Sequence, residues 1–177
     1  MRVIDACAGN GGKTLHLAAL MQNKGRIIAL DTDAKKLEQL RLRARRAGVS
    51  IIETRQIESS KTIKRLAQSA DRVLLDVPCS GLGVLRRNPD TRWRLSPEHL
   101  NTIYGVQRDI LERYGKLCKP DGKMVYATCS ILPSENQLQV DSYINKVGEK
   151  YTLEASRSIL PQDEGFDGFY MARLISH

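Results

Sequence analysis

The sequence lacks several features that would point to a metal centre, secretion or a membrane. Its four cysteines form no CxxC pair and its three histidines share no metal-binding spacing, so we expect no bound metal. The chain opens on Met1-Arg2-Val3-Ile4-Asp5 rather than on the charged and apolar segments of a secretory signal. No apolar run approaches membrane-spanning length. We therefore expect a cytoplasmic protein with reduced thiols and no membrane partner.

What the sequence does contain is an excess of positive charge. Lysine and arginine total 28 against 20 acidic residues, which gives a net charge of +8 in 177 residues. This length suits one domain over residues 1–177, and a hydrophobic content of 41% is enough for a core. A basic surface favours a polyanionic partner such as nucleic acid, although ordinary solubility would also explain it.

Apolar, β-rich segments alternate along the chain with segments of helical periodicity. The predicted strands are Val3–Ala6, Arg26–Leu30, Ile51–Glu53, Arg72–Leu75, Lys123–Ala127 and two near Tyr151–Ala155 and Phe169–Ile175. The predicted helices are Lys13–Met21, Ala34–Arg46, Ile63–Gln68, Pro97–Leu117 and Glu135–Val147. Such alternation predicts an α/β fold with a doubly wound, mostly parallel sheet, which ends here in an antiparallel strand.

The residues that stand out chemically all follow predicted strands. They are Asp5 to Gly12, Asp31, Asp76 to Gly81, and Thr128 to Ser130. In a parallel sheet the carboxyl ends of the strands share one edge, and ligands bind there. This coincidence predicts an active site at that edge.

The segment Asp5–Thr14 places a glycine-rich turn between a strand and a helix, where the backbone can approach a ligand closely. A phosphate-binding P-loop needs glycine where Cys7 stands, and a dinucleotide fingerprint needs glycine at Thr14 after Gly9 and Gly11. S-adenosylmethionine fits better, because it has no phosphate to bind. The alternative is a tight turn without a ligand.

Asp31 ends the second predicted strand, where a carboxylate suits the two hydroxyls of a ribose. The alternative is a helix N-cap, a role for which Asp33 is the stronger candidate.

Cys79 and Cys129 follow neighbouring predicted strands, so we expect them to lie close together. Cytosine C5 is a poor nucleophile, and addition of a thiolate to C6 would activate it for methylation. A thiol needs a lowered pKa for this role, which Lys13 could provide. Asp76 could stabilise charge at N3 of the base.

These motifs resemble those of the Sun/Fmu-type (NOL1/NOP2-like) RNA cytosine-C5 methyltransferases. The resemblance rests on DACAGNGGKT, LDVPCSGLGVLRRNPDTRW, YATCSILPSEN and DGFYMARL, and it covers nearly the whole chain. It implies a Rossmann-like class I fold, S-adenosylmethionine as cofactor and RNA as partner. Among family members the chain most resembles the bacterial enzymes that act on 16S ribosomal RNA.

The resemblance also implies roles for individual residues. Cys129 would attack the base and Cys79 would assist product release. The cofactor would be held by Cys7, Ala8, Gly9, Asn10, Gly11, Gly12, Lys13, Asp31 and Asp76. The family often has proline where this chain has Asn10, and an acid after the third strand, which would here be Glu58.

Family members also carry an RNA-binding region before the catalytic domain. Nothing in this sequence corresponds to it, so we expect a carboxyl-terminal fragment that binds RNA poorly on its own. Arg86, Arg87 and Trp93 lie in a cationic segment that could contact RNA. The alternatives are a solvated loop and, for Trp93, a packed anchor.

We expect this methyltransferase to be a monomer. Three other functions compete with this interpretation. A DNA cytosine-C5 methyltransferase would use Cys79 as its nucleophile. A non-catalytic RNA-binding scaffold would keep the fold without the reaction. A nicotinamide dehydrogenase is disfavoured by the incomplete fingerprint and by the paired cysteines.

Overall fold

The computed structural model describes residues 1–177, apart from the side chain of Glu164. Seven strands form a single sheet in the order β3-β2-β1-β4-β5-β7-β6. The strands are β1 (Arg2–Asp5), β2 (Arg26–Asp31), β3 (Ile52–Gln56), β4 (Ala70–Asp76), β5 (Cys118–Thr128), β6 (Tyr151–Ile159) and β7 (Phe169–Ser176). All seven predicted strands are therefore present.

Helices connect the strands through most of the chain. They are α1 (Gly12–Leu20), α2 (Ala34–Arg46), α3 (Ser60–Lys64), α4 (Thr91–Arg94), α5 (Pro97–Tyr114), α6 (Gln137–Val147) and α7 (Pro161–Glu164). The N-cap predicted for Asp33 is confirmed, because its carboxylate accepts from the amides of Lys35 and Lys36. The Ser96 hydroxyl caps α5 in the same way and accepts from the amide of His99.

The sheet has the predicted mixture of strand directions. β3, β2, β1, β4 and β5 pair in parallel, whereas β7 pairs antiparallel with both β5 and β6. The strand order reverses between β1 and β4, which places the switch point beside the glycine-rich turn. The predicted doubly wound fold is confirmed.

Helices cover both faces of the parallel part of the sheet. On one face, Leu37 and Leu40 of α2 pack with Ala29 of β2. On the other, Leu111 of α5 and Val140 of α6 join a larger core with strand residues. Among the residues that the structure describes, no helix is both long enough and apolar enough to cross a membrane.

Several boundaries differ from the predicted ones for physical reasons. β5 begins at Cys118, but Ala70 pairs with Cys118 and Arg72 with Lys123, so the residues between them bulge out of the ladder. That bulge explains the turn-like Lys-Pro-Asp-Gly composition inside a strand. α6 begins at Gln137 rather than at Glu135, whose side chain is engaged elsewhere.

The short 3-10 turn Leu82–Val84 connects two loops at the carboxyl edge of the sheet. The Gly83 amide donates to the carbonyl of Cys129 at 2.9 Å, and the Gly83 carbonyl accepts from the amide of Gly168 at 2.7 Å. A Cβ at Gly83 would lie 2.1 Å from the Gly168 carbonyl oxygen. Only glycine allows this approach.

We expect Gly83→Ala to lower the free energy of unfolding by about 1–3 kcal/mol, because the added methyl group would force these backbones apart. Gly105→Ala is the matched control: it lies inside α5, where a Cβ would meet no atom within 4 Å. Alanine is favoured over glycine in a helix by about 1 kcal/mol. Urea unfolding followed by circular dichroism should therefore show shifts of opposite sign, and shifts of the same sign would contradict this packing argument.

Candidate active site

The glycine-rich turn after β1 is fastened to the end of β2. The Gly9 amide donates to Asp31 Oδ2 at 2.8 Å, and the Ala8 amide donates to the Leu30 carbonyl at 2.9 Å. The Asn10 carbonyl accepts from the Arg43 guanidinium at 3.1 Å. Gly9 has a φ of +53°, and a Cβ there would meet no atom within 4 Å. The backbone of the turn is therefore open to a ligand at Gly9.

A cavity of about 460 Å³ lies against this turn. Its lining combines backbone and apolar side chains with a few charged groups: Ala6, Cys7, Gly9, Asp31, Thr32, Lys36, Ile57, Asp76, Val77, Pro78, Val106, Asp109, Ile110, Arg113 and Tyr114. Such a volume is typical of small-molecule sites. The residues present fit S-adenosylmethionine, since each Asp31 oxygen already accepts one amide and keeps a lone pair for a ribose hydroxyl.

The cofactor-site predictions differ in how they meet this cavity. Cys7, Gly9, Asp31 and Asp76 line it. The others fall outside the lining: Ala8, Asn10, Gly11, Gly12, Lys13 and Glu58. Glu58 is exposed, and its neighbour Ile57 occupies the position beside the cavity. The acid expected after the third strand is thus replaced by an apolar contact.

Cys7 is a cavity residue rather than a nucleophile. Burial raises the pKa of its thiol, and the nearby carboxylates of Asp5, Asp31 and Asp76 raise it further. The thiol therefore stays protonated. It offers the ligand a small apolar contact.

The other two predicted cysteines meet directly. The Sγ atoms of Cys79 and Cys129 lie 3.2 Å apart. β4 and β5 bring them together, because Asp76 pairs with Ala127 and the Val77 amide donates to the Ala127 carbonyl at 3.0 Å. Both side chains are half-buried and both thiols are free.

The contact between the two thiols makes them chemically unequal. The hydrogen bond from Cys79 is the largest influence that lowers the pKa of Cys129, and the charge of Lys13 adds a smaller lowering. The same bond, together with burial, raises the pKa of Cys79. The shared hydrogen bond thus favours ionisation of Cys129 over ionisation of Cys79.

Lys13 and Asp76 form an ion pair beside the thiols. Lys13 Nζ lies 2.6 Å from Asp76 Oδ2 and 5.2 Å from the centre of the Phe169 ring. Lys13 is 45% and Asp76 29% exposed at the side chain, so both can still reach a bound molecule. The four residues predicted to act in catalysis are therefore neighbours.

The predicted RNA-contacting residues lie on the exposed segment after the Cys79 loop. Arg87 forms an ion pair with Asp167 at 2.6 Å, and Arg86 donates to the Gly165 carbonyl at 3.3 Å. Both arginines thus hold the loop before β7. Trp93 in α4 is 77% exposed, with the Arg92 guanidinium 4.4 Å from its ring centre. The exposure rules out the packed-anchor interpretation of Trp93.

Sequence reasoning missed the charged residues that α5 and α2 contribute to the cavity, namely Asp109, Arg113 and Lys36. Helical periodicity shows which face of a helix is polar, but not which cavity that face borders. Within the part of the chain that the structure describes, no group of three or more histidine, cysteine or acidic side chains is placed to hold a metal ion.

A family model described as 16S rRNA methyltransferase RsmB/F matches residues 1–175. The probable ribosomal RNA small subunit methyltransferase B of Synechocystis is 35% identical over 97% of this chain and 42% of its own length. The corresponding protein of Pasteurella multocida is 36% identical over 97% of this chain and 42% of its own length. The chain thus spans less than half the length of these relatives.

Among solved structures, NSun6 from Pyrococcus horikoshii with SFG, an analogue of S-adenosylmethionine, has a TM-score of 0.87 and 29% identity. The match covers 98% of this chain and 47% of the NSun6 chain. The methyl donor of this family is S-adenosylmethionine. With a match over almost its whole length, the chain belongs to the RsmB/F family of 16S rRNA methyltransferases.

Proposed function

We propose that this chain is the catalytic part of an RNA cytosine-C5 methyltransferase that acts on 16S ribosomal RNA in the cytoplasm. The observation that carries the proposal is the 3.2 Å contact between Cys79 and Cys129, in which Cys79 directly follows Val77 and Pro78 of the cavity lining. The names of the relatives support the ribosomal substrate. The thiol pair supports the cytosine chemistry.

Methylation at C5 requires electron density that cytosine does not provide by itself. Cys129 supplies it as the thiolate: its Sγ bonds to C6, and the electron pair of the C5–C6 bond moves toward N3 and O2, leaving C5 nucleophilic. Bound S-adenosylmethionine supplies an electrophilic methyl group. Asp76, paired with Lys13 at 2.6 Å, is placed to hydrogen-bond the polar edge of the base.

Release of the methylated product requires a base. The C5 proton must pass to a base, so that the electron pair of the C5–H bond re-forms the C5=C6 double bond and the C6–S bond breaks to release Cys129 as a thiolate. The hydrogen bond to Cys129 is the main cause of the raised pKa of Cys79. Once the Cys129 sulfur is bonded to carbon, that cause disappears and the pKa of Cys79 falls, so the Cys79 thiol can lose its proton to solvent and its thiolate can then accept the C5 proton.

The same asymmetry distinguishes the competing functions. A DNA-type enzyme would use Cys79 as nucleophile, yet Cys79 is the thiol whose pKa is raised. A non-catalytic scaffold has no need for a cysteine with a lowered pKa next to a donor cavity. Both observations favour Cys129 as the attacking group.

We expect Cys79→Ala to accumulate a covalent complex with ordinary cytosine RNA, because addition and methylation would proceed without efficient release. Cys129→Ala should form no complex and transfer no methyl group. The measurement is methyl transfer from labelled S-adenosylmethionine to protein-free 16S RNA, with denaturing electrophoresis to detect the complex. A complex formed by Cys129→Ala and lost in Cys79→Ala would favour the DNA-type mechanism, and no label even with the full-length protein would favour the scaffold.

The reactivity of Cys129 should depend on pH through its own ionisation. Its pKa is lowered to about 7, so the thiolate fraction and the alkylation rate should rise with pH to a plateau above that value. Cys79→Ala removes the hydrogen bond and should move the midpoint up toward the ordinary thiol pKa of about 8.5. Cys79→Ser keeps a donor and should shift it less.

This pH profile is measured with iodoacetamide and mass spectrometry of the tryptic peptide Met124–Lys146, in which Cys129 is the only cysteine. No RNA is needed. An unchanged midpoint in Cys79→Ala would show that Cys79 does not set the ionisation of Cys129.

We also expect Trp93 to stack on an unpaired base of the RNA. Stacking contributes about 1–3 kcal/mol per base, so Trp93→Ala should weaken RNA binding by about tenfold. Leu20→Ala is the control, because Leu20 is 70% exposed at the last residue of α1, on the opposite edge of the sheet. Filter binding with 16S RNA measures both, and equal affinities would remove Trp93 from the interface.

A further inference from the structure

One buried carboxylate near the thiols has no part in the mechanism described above. Glu135 follows the Cys129 loop and has a relative exposure of 0%. A glutamate is rarely buried to this extent unless its oxygens are fully bonded. The hydrogen-bond partners of Glu135 therefore show which segments of the chain it fixes.

The first oxygen, Oε1, binds the loop that carries Cys79. It accepts from the backbone amide of Ser80 at 2.7 Å and from Gln107 Nε2 of α5 at 3.0 Å. The same Gln107 nitrogen also donates to the Pro78 carbonyl at 3.0 Å. The residues on both sides of Cys79 are thus fixed to Glu135, one directly and one through Gln107.

The second oxygen, Oε2, joins this loop to the one that carries Cys129. It accepts from the Ser80 hydroxyl at 2.5 Å and from the hydroxyl of Ser130, the residue that follows Cys129. The two hydroxyls also lie 3.2 Å from each other. One side chain therefore ties both cysteine loops together.

The ionised carboxylate matches this environment better than a neutral group would. It only accepts hydrogen bonds and has about four lone-pair directions, and four donor contacts converge on it. All four donors are neutral, so the bonds are charge-assisted on one side only. A glutamine of the same shape would place an amide donor against groups that already donate.

We propose that Glu135 is the positioning residue that holds the Cys79 thiol within hydrogen-bonding distance of Cys129. It contacts neither sulfur and acts through the backbone on either side of Cys79 and through Ser130. Its importance for the reaction rests on the proposed function, but the geometry that it controls can be tested without RNA or methyl donor.

The other ionisable groups that act on Cys129 are Asp76 and Lys13, which pair with each other across the site. Cys79 is the strongest influence on the ionisation of Cys129. A change at Glu135 should therefore reach Cys129 through Cys79.

The test is the alkylation profile of Cys129 against pH in Glu135→Gln, with Glu149→Gln as the matched control. Glu149 is an exposed glutamate beyond the end of α6. We expect Glu135→Gln to raise the midpoint and to slow alkylation at pH 7 at least threefold. Glu149→Gln should leave the profile unchanged.

The same substitution in a Cys79→Ala background separates positioning from a general loss of stability. If Glu135 acts through Cys79, the double variant should show the same midpoint as Cys79→Ala alone. A midpoint unchanged by Glu135→Gln despite a lower melting temperature would overturn the proposal. So would a further shift in the double variant.

Ser80→Ala is the second variant if Glu135→Gln fails to fold, because it removes one of the four donors and keeps the carboxylate. It should raise the midpoint in the same direction, and an unchanged profile would count against the proposal. Methyl transfer is measured separately. Absence of transfer by the unsubstituted protein, with the expected pH shifts in the variants, would reject the proposed function alone, and normal transfer by the unsubstituted protein without those shifts would reject the positioning role alone.

Discussion

The parallel pairing of β4 with β5 is the constraint on which the rest of the site depends. Asp76 lies opposite Ala127, so the two strands end at the same level and the loops that follow bring Cys79 and Cys129 to 3.2 Å. A slip of one residue would move one loop by about 3.3 Å and turn its side chains to the other face. That displacement is as large as the distance between the two sulfur atoms. The register of β4 against β5 therefore determines whether the thiols can share a proton.

Sharing a proton gives two identical side chains opposite chemical characters. The pKa of Cys129 falls and that of Cys79 rises through the same hydrogen bond. Lys13, which the sequence suggested as the activating group, adds only a smaller effect to that bond. In the proposed mechanism a partner thiol suits this role, because its effect on the ionisation of Cys129 ends when Cys129 becomes bonded to carbon. A fixed cation would continue to act throughout the reaction.

The sequence was sufficient to predict features that depend on strand ends. The glycine-rich turn, Asp31 and the two cysteines each follow a strand, and a parallel sheet gathers such positions without further information. The sequence was insufficient where a contact joins distant segments. Glu135 reaches Ser80 across 55 positions, and it was predicted as the first residue of a helix. Ile57 lies beside the cavity and Glu58 does not, and a shift of one residue in the segment after β3 decides which of the two lies there.

The two carboxylates near the thiols differ in the partners that their oxygens bind. Asp76 is partly exposed and paired with Lys13, a cation that a substrate can displace. Glu135 is enclosed by groups of the cysteine loops, and leaving such a buried donor unpaired costs about 1–3 kcal/mol. Glu135 therefore fixes the loops that carry the two cysteines. In the proposed reaction, the partly exposed pair of Lys13 and Asp76 is therefore the part of the site that can rearrange around the base.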